Sequence, residues 1–376
     1  MGCLASKPSK HSRDPKGAAR SVGHEKWVGR VFVPEKYFLR GATIEDTALR
    51  GTTSEQMADL VALIQDVLAT VEIVETFDRS ALHGQRLTWE NLEMYSVCTY
   101  FVKPLTEPHK CSFVELVAAA EAQPPTWFVS HAWSTPFAHT VEMLEFHRQA
   151  HGLPATTPYW ICTFANNQHE LGELGGNVLL TPFARAILLD GCVGTLLLVD
   201  EACTPMTRAW CVLEAWVTRV HAAGKLFDVA AMIPAGAQKY GNSVDGYKDV
   251  EPGPALRMDL GAGALKELAK PEHGRFPGAV AVAGVAAKVE LAQASREEDL
   301  VNIRKMLAGD DYQEADPTAP CEGYDAVNAA YHALFRGPAV YAHAMNGNLE
   351  ELRELLEVGT EVVHYVDPDG FTPFFI

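Results

Sequence analysis

The sequence predicts an α/β fold, a parallel sheet with helices on both faces, and three features carry that prediction. After Pro125 short apolar runs alternate with helix-patterned segments. The runs are continuously apolar rather than alternating, as strands buried on both faces are. The segments between them, residues 137–149, 182–189 and 207–221, are long enough to cross over from one parallel strand to the next. The predicted strands are residues 127–130 (WFVS), 159–164 (YWICTF), 195–199 (TLLLV) and 227–233 (FDVAAMI).

The whole chain narrows the function classes before any motif is read. Its 376 residues leave room for two or three domains, and 48% hydrophobic content is that of a protein with a packed core. Eight cysteines are scattered without a CxxC pair, which favours a reducing compartment. No apolar stretch reaches the roughly 18–20 residues that cross a bilayer. The net charge of −17 is uneven: residues 1–30 carry +5, leaving −22 on the remainder. A body that acidic repels phosphate backbones, so nucleic acid is not an expected partner.

The basic segment 1–30 has its own signature. Met1-Gly2-Cys3-Leu4-Ala5-Ser6 fits N-myristoylation on Gly2, with Cys3 beside it for palmitoylation, and Lys7, Lys10, Arg13, Lys16 and Arg20 follow. One acyl chain holds a membrane weakly; a second chain or a polybasic patch makes the anchor stable, and both are offered here. The expectation is a lipidated tail on the cytoplasmic face of a membrane, the plasma membrane first. An ordinary disordered tail and an organelle transit peptide are the competing readings.

Residues 31–125 read as a helical flank. Met57, Leu60, Val61, Leu63, Ile64, Val67 and Leu68 repeat at helical spacing behind Thr53 or Ser54 as N-cap. An aromatic-rich segment, 87–102, and a short helix at 112–120 follow before Gln123-Pro124-Pro125 breaks the pattern. No catalytic pattern occurs there.

In a parallel sheet the functional crevice lies beyond the carboxyl ends of the strands. The polar residues expected at that rim are Ser130, His131 and Trp133 after the first strand, Asn166, Asn167 and Gln168 after the second, and Asp200 after the third. Strand ends also turn polar because loops meet water, and that reading stands beside the first. More unusual is Glu214, alone in the apolar helix Trp210-Cys211-Val212-Leu213-Glu214-Ala215-Trp216, one turn after Trp210. An acid in that setting is desolvated and its pKa rises unless a cation or hydrogen-bond donors compensate; Arg208 and Arg185 are the candidate partners.

Phe128-Val129-Ser130, a later strand ending before Asp200, and Trp210-Cys211-x-x-Glu214 together resemble the Toll/interleukin-1 receptor (TIR) domain over about residues 126–235. The resemblance implies a flavodoxin-like fold whose members assemble through homotypic contacts or cleave NAD at the nicotinamide glycosidic bond. In the cleaving members the matching glutamate is catalytic, and that role falls here on Glu214. A carboxylate beside the ribose suits the chemistry, because bond cleavage builds an oxocarbenium-like cation.

Other constellations are incomplete. His147 and His151 have the i, i+4 spacing of a metal-binding helix but no third ligand in a recognised arrangement, so no metal is expected. Cys203 or Cys211 with His131 and Asp200 would make a cysteine-hydrolase set, but nothing in the sequence brings them together. Gly172, Gly175 and Gly176 lack the context of a phosphate loop.

Residues 236–278, rich in Gly and Pro, read as an insertion within an α/β domain spanning 126–310. Ser295-Arg296-Glu297-Glu298 reads as a capping box opening a last helix that ends at Gly309. Residues 311–336 read as a connector. From residue 337 to 376 the chain resembles the ankyrin repeat, carried by Gly347-Asn348-Leu349-Glu350-Glu351-Leu352-Arg353-Glu354-Leu355-Leu356-Glu357-Val358-Gly359, then Asp367, Gly370, Thr372 and Pro373. Ankyrin repeats bury their apolar faces only by stacking. The sequence stops one turn into a second repeat, so the expectation is an incomplete gene product with Phe371, Phe374 and Phe375 uncovered; an isolated helical hairpin is the alternative.

The sequence therefore points to a membrane-tethered signalling or scaffold protein that binds proteins through a TIR-like domain, with possible homotypic assembly, and through ankyrin repeats. No cofactor is expected. The alternative is a TIR-type NAD glycohydrolase using Glu214, with NAD as substrate.

Overall fold

The computed structural model describes Trp27, residues 31–358 apart from 79, 171–176, 223, 241–246, 263 and 271–274, together with Tyr365 and Thr372. The acylation pattern at Gly2 and Cys3, the basic run behind it, and Gly359, Asp367, Gly370, Phe371, Pro373, Phe374 and Phe375 lie outside the described residues. The chain divides into two compact units, one of residues 1–125, 136–138 and 155–173, the other of residues 126–135, 139–154 and 174–376. Elements are labelled in chain order.

The first unit is mainly helical. Its strand β1 (Thr52–Thr53) runs into α1 (Ser54–Thr70), which Thr53 caps in a reciprocal box with Gln56. Met57, Leu60, Leu63, Ile64, Val67 and Leu68 are buried, the helical stripe read from the sequence. Next come α2 (Met94–Val97) and α3 (Lys103–Thr106), joined through a wider π-type turn at Cys98–Val102, and α4 (Phe113–Val117). Glu115 of α4 is buried between two arginines, 2.7 Å from Arg40 and 3.3 Å from Arg50.

The unit closes with β3 (Pro158–Trp160), antiparallel to β1, and α6 (Cys162–Ala165). This corrects the predicted second parallel strand, residues 159–164. Its first two residues lie in β3, Ile161 stays extended as the cap of α6, and the rest turns into a helix. A six-residue run that is apolar throughout carries no period, so sequence alone cannot tell a buried strand from a buried helical turn.

The second unit is the α/β body. Strands β2 (Trp127–His131), β4 (Gly194–Val199) and β5 (Leu226–Ile233) are parallel neighbours in that order. The helices here are α5 (Phe137–Ala150, from His139 onward in this unit), α7 (Pro182–Leu188) and α8 (Ala209–Trp216), the last prolonged by a π-type turn at Val217–His221. The register pairs Val129 with Leu196 and Leu196 with Asp228, so Trp127, Val129, His131, Leu196 and Asp228 share one face. His147 of α5 packs on Trp127 there. On the opposite face the Thr195 hydroxyl lies 2.7 Å from that of Thr218 in the turn after α8. Helices thus cover both faces, as the continuous apolar runs imply.

Residues 236–278 are not a plain insertion. They hold a hairpin, β6 (Gln238–Tyr240) and β7 (Tyr247–Asp249), then β8 (Gly253–Asp259) and β9 (Leu265–Ala269), which extend the sheet antiparallel beyond β5 and make it mixed. Every residue of β8 is buried. Its charges hid it from the hydrophobic pattern: Arg257 pairs with Glu267 at 3.1 Å and donates to the Leu334 carbonyl, and Asp259 pairs with Arg219.

Four helices follow: α9 (Gly278–Ala286), α10 (Glu297–Ala308), α11 (Glu322–Asn346) and α12 (Leu349–Val358). The predicted cap at Ser295 is absent; Arg296 occupies the cap position of α10 without a side-chain bond, and Ser295 instead accepts from Arg208 at 3.3 Å. The predicted connector 311–336 and the first residues of the ankyrin-like segment, 337–346, are largely one 25-residue helix, α11, with Tyr324, Val327, Tyr331, Leu334 and Phe335 buried. Gly284 of α9 sits against it so closely that a Cβ there would lie 2.4 Å from the Phe335 ring. Gly347, at a left-handed φ of 69°, ends α11 and turns the chain into α12. Among the described residues no helix is long and apolar enough to cross a membrane.

Candidate functional site

Glu214 lies in the middle of α8 with 6% of its surface exposed. The all-apolar helix puts it there, since every residue from Ala209 to Ala215 is buried. Across from it is Ser130 of β2, on the sheet face opposite Trp127. Burial pushes the Glu214 carboxyl up to about 7, and the Ser130 hydroxyl offsets only part of that rise. Among the described residues its Oε2 and the Ser130 Oγ make no hydrogen bond of good geometry, and both are sealed from solvent. The predicted pairing with Arg208 or Arg185 does not satisfy Oε2. An acid poised near neutrality beside a hydroxyl can hold or release a proton at the pH of a cell.

The surroundings of the pair are fixed by bonds that the sequence did not reveal. Thr218 donates its hydroxyl hydrogen to the Glu214 carbonyl at 2.7 Å. The Cys211 thiol donates to the His131 carbonyl at 3.7 Å, tying α8 to the end of β2. Tyr331, far along the chain in α11, donates to the Cys211 carbonyl at 3.2 Å. Burial raises the Tyr331 phenol well above its usual range, with Cys211 and Glu214 adding to the effect. Tyr331 falls in the segment read from the sequence as a connector, so nothing in that reading marked it as a core residue. Trp210, one turn before Glu214, stacks on Phe183 of α7 at 5.2 Å.

The rest of the predicted rim separates. Strand alternation sends the His131 side chain to the α5 face, away from Ser130 and Glu214; burial brings its pKa down to about 4, and its Nε2 finds no hydrogen-bond partner among the described residues. Trp133, just past β2, is buried. Asp200, after β4, accepts from the Thr204 backbone at 2.7 Å and so shapes the turn leading to α8. Asn166, Asn167 and Gln168 belong to the first unit, where their amides donate to the carbonyls of Cys162, Lys110 and Cys162 with Thr163. They complete the turn after α6 rather than the tip of a parallel strand.

The cysteine-hydrolase set also comes apart. Burial, then Asp200, pushes the Cys203 thiol up to about 12, and it donates to the Val280 carbonyl. A cleft of about 370 Å³ lies past the carboxyl end of β5, lined by Ile233, Arg275, Phe276, Tyr341 and Tyr365 among others, with Arg275 4.3 Å from the Tyr341 ring centre. Glu214 does not line it. Among the described residues, His147, His151 and Asp228 form a group whose ligand atoms lie within 4.8 Å of one another. Comparisons with family models, curated proteins and solved structures each find no match.

Proposed function

We propose that the protein is a membrane-tethered signalling scaffold whose α/β unit is a TIR-like interaction module and whose C-terminal helices open an ankyrin stack. The observation that carries this reading is the burial of Glu214, the one acid matching a catalytic position: 6% of it is exposed, and among the described residues its Oε2 and the Ser130 Oγ are sealed from solvent. The C-terminal hairpin adds support. In α12 the stripe Leu352, Leu355 and Leu356 is only half-buried and Leu349 is 66% exposed, as expected of a helix that packs on a further repeat. The N-terminal acylation pattern and its basic run supply the tether, and the proteins bound through the helical stack are the expected partners.

Fractionating cells that express the full chain or Gly2→Ala tests the tether. The native chain should sediment with membranes and the variant should move to the soluble fraction. An unchanged distribution would refute the acyl anchor.

The second reading, an NAD glycohydrolase, is favoured by one feature, the Glu214 carboxyl held at about 7 beside Ser130. In that reaction the bond between the ribose C1′ and the nicotinamide nitrogen breaks and its electron pair stays on nitrogen. Water adds to the ribosyl cation and loses a proton, giving ADP-ribose and nicotinamide. Ionised Glu214 would stabilise the cation, once a movement of α8 or β2 gave access to it.

A further inference from the structure

We propose that His147, His151 and Asp228 form a binding site for one divalent transition-metal ion, with zinc the best chemical fit. The site lies on the α5 face of the sheet, the face opposite the one that carries Ser130, beside Trp127.

The three residues converge by construction. His147 is in the last turn of α5 and His151 follows one turn later, the His151 N–H donating to the His147 carbonyl at 3.1 Å. Their rings therefore lie side by side, centroids 4.5 Å apart. Asp228, the third residue of β5, faces α5 because it shares its row with Leu196 and Val129. Both imidazoles aim Nε2 at the same oxygen, Asp228 Oδ2, at 3.1 Å from His147 and 2.6 Å from His151. The other carboxylate oxygen is already committed, accepting from the Asp259 backbone at 2.7 Å. Trp127 walls both rings, its centroid 4.5 Å from His147 and 5.0 Å from His151.

These features are those of a built ligand set. Two imidazole nitrogens and one carboxylate oxygen suit zinc, whereas calcium and magnesium favour sites made of oxygens. Zinc–ligand distances of about 2.0–2.2 Å at tetrahedral angles place neighbouring ligand atoms about 3.3 Å apart. The two nitrogen–oxygen separations, 3.1 and 2.6 Å, need to open by about 0.2 and about 0.7 Å, and all three ligand atoms already lie within 4.8 Å of one another. The Asp259 backbone bond orients the carboxylate, and Trp127 fixes the ring planes, as outer-shell groups do around metals. The His147 and Asp228 side chains are fully buried, while the His151 side chain is 15% exposed. A water could take the fourth position on that open side. Without metal, the same contacts are two hydrogen bonds to one oxygen that pin α5 to β5.

The test uses the purified full chain, stripped with chelator and dialysed, then titrated with zinc against a chromophoric competitor and, separately, with cobalt(II). The expected result is one zinc per chain and the visible bands of four-coordinate cobalt. His151→Gln keeps a polar group at the partly open position, and Asp228→Asn keeps the shape of the buried one. Each should lower zinc affinity at least about a hundredfold and abolish the bands, with circular dichroism showing that the variants fold. Glu214→Gln should leave both readouts unchanged. Failure of the native chain to take up zinc, or full stoichiometry and unchanged bands in folded His151→Gln, would overturn the proposal and leave a hydrogen-bonded triad.

Discussion

Replacing Glu214 with glutamine should change how stability depends on pH, in a direction that the geometry fixes. The folded carboxyl titrates at about 7 against an ordinary 4.5, because burial disfavours the ionised form. The folded chain therefore binds more protons than the unfolded chain between those values, and stability falls as pH rises through the window. At about 1.4 kcal/mol per pH unit of difference, ionised Glu214 costs about 3 kcal/mol at pH 8 and less than about 1 kcal/mol at pH 5. The neutral amide of Glu214→Gln carries no such cost. Urea unfolding of the native chain and the variant at matched pH values from 5 to 8 isolates it, because the other groups cancel in the difference. Relative to the native chain, the variant should gain about 2–3 kcal/mol over that range. A difference that stays constant within about 0.5 kcal/mol would show that the carboxyl is solvated or compensated, and the argument from burial would fail.

His131 should give the opposite slope. Burial lowers its pKa from 6.5 to about 4, so stability is lost as pH falls through that window, by about 3 kcal/mol in all; His131→Phe should remove the loss, read by urea unfolding between pH 4 and 7. The two windows overlap, so in the native chain the contributions of Glu214 and His131 nearly cancel and only the variants reveal them. In the first unit, Glu115→Ala leaves Arg50 buried without its carboxylate and should cost about 3–5 kcal/mol at pH 7. Gly284→Ala drives a methyl into the Phe335 ring and should cost about 1–3 kcal/mol in the same assay, whereas Gly84→Ala, with open space around it, should lose only the cost of its positive φ.

The legible part of the fold was what the hydrophobic period writes. Trp127–His131, Gly194–Val199 and Leu226–Ile233 are buried on both faces and read as strands, and α1 showed its stripe and its Thr53 cap. The illegible part is where partners, not period, decide. In β8, Arg257 and Asp259 look like solvent residues until Glu267 and Arg219 are placed beside them. In residues 158–165 the same apolar run holds a three-residue strand and a helical turn, because tertiary contacts choose between conformations that the local pattern leaves open. At the candidate site, Glu214 stood out as an acid in an apolar helix. Its neighbour Ser130 followed from strand order, while Tyr331 and Asp228 depend on long-range packing. His131 was adjacent in sequence to Ser130, yet the two-residue period of a strand turns it to the opposite face.

Nicotinamide release by the purified full chain is the most direct measurement of whether the protein is a scaffold or an NAD-cleaving enzyme. With Glu214 sealed beneath Ser130, incubation with NAD at high protein concentration should release no more nicotinamide than a protein-free blank, and Glu214→Gln should behave identically. Release well above the blank that vanishes in a folded Glu214→Gln would contradict the scaffold reading and make Glu214 catalytic.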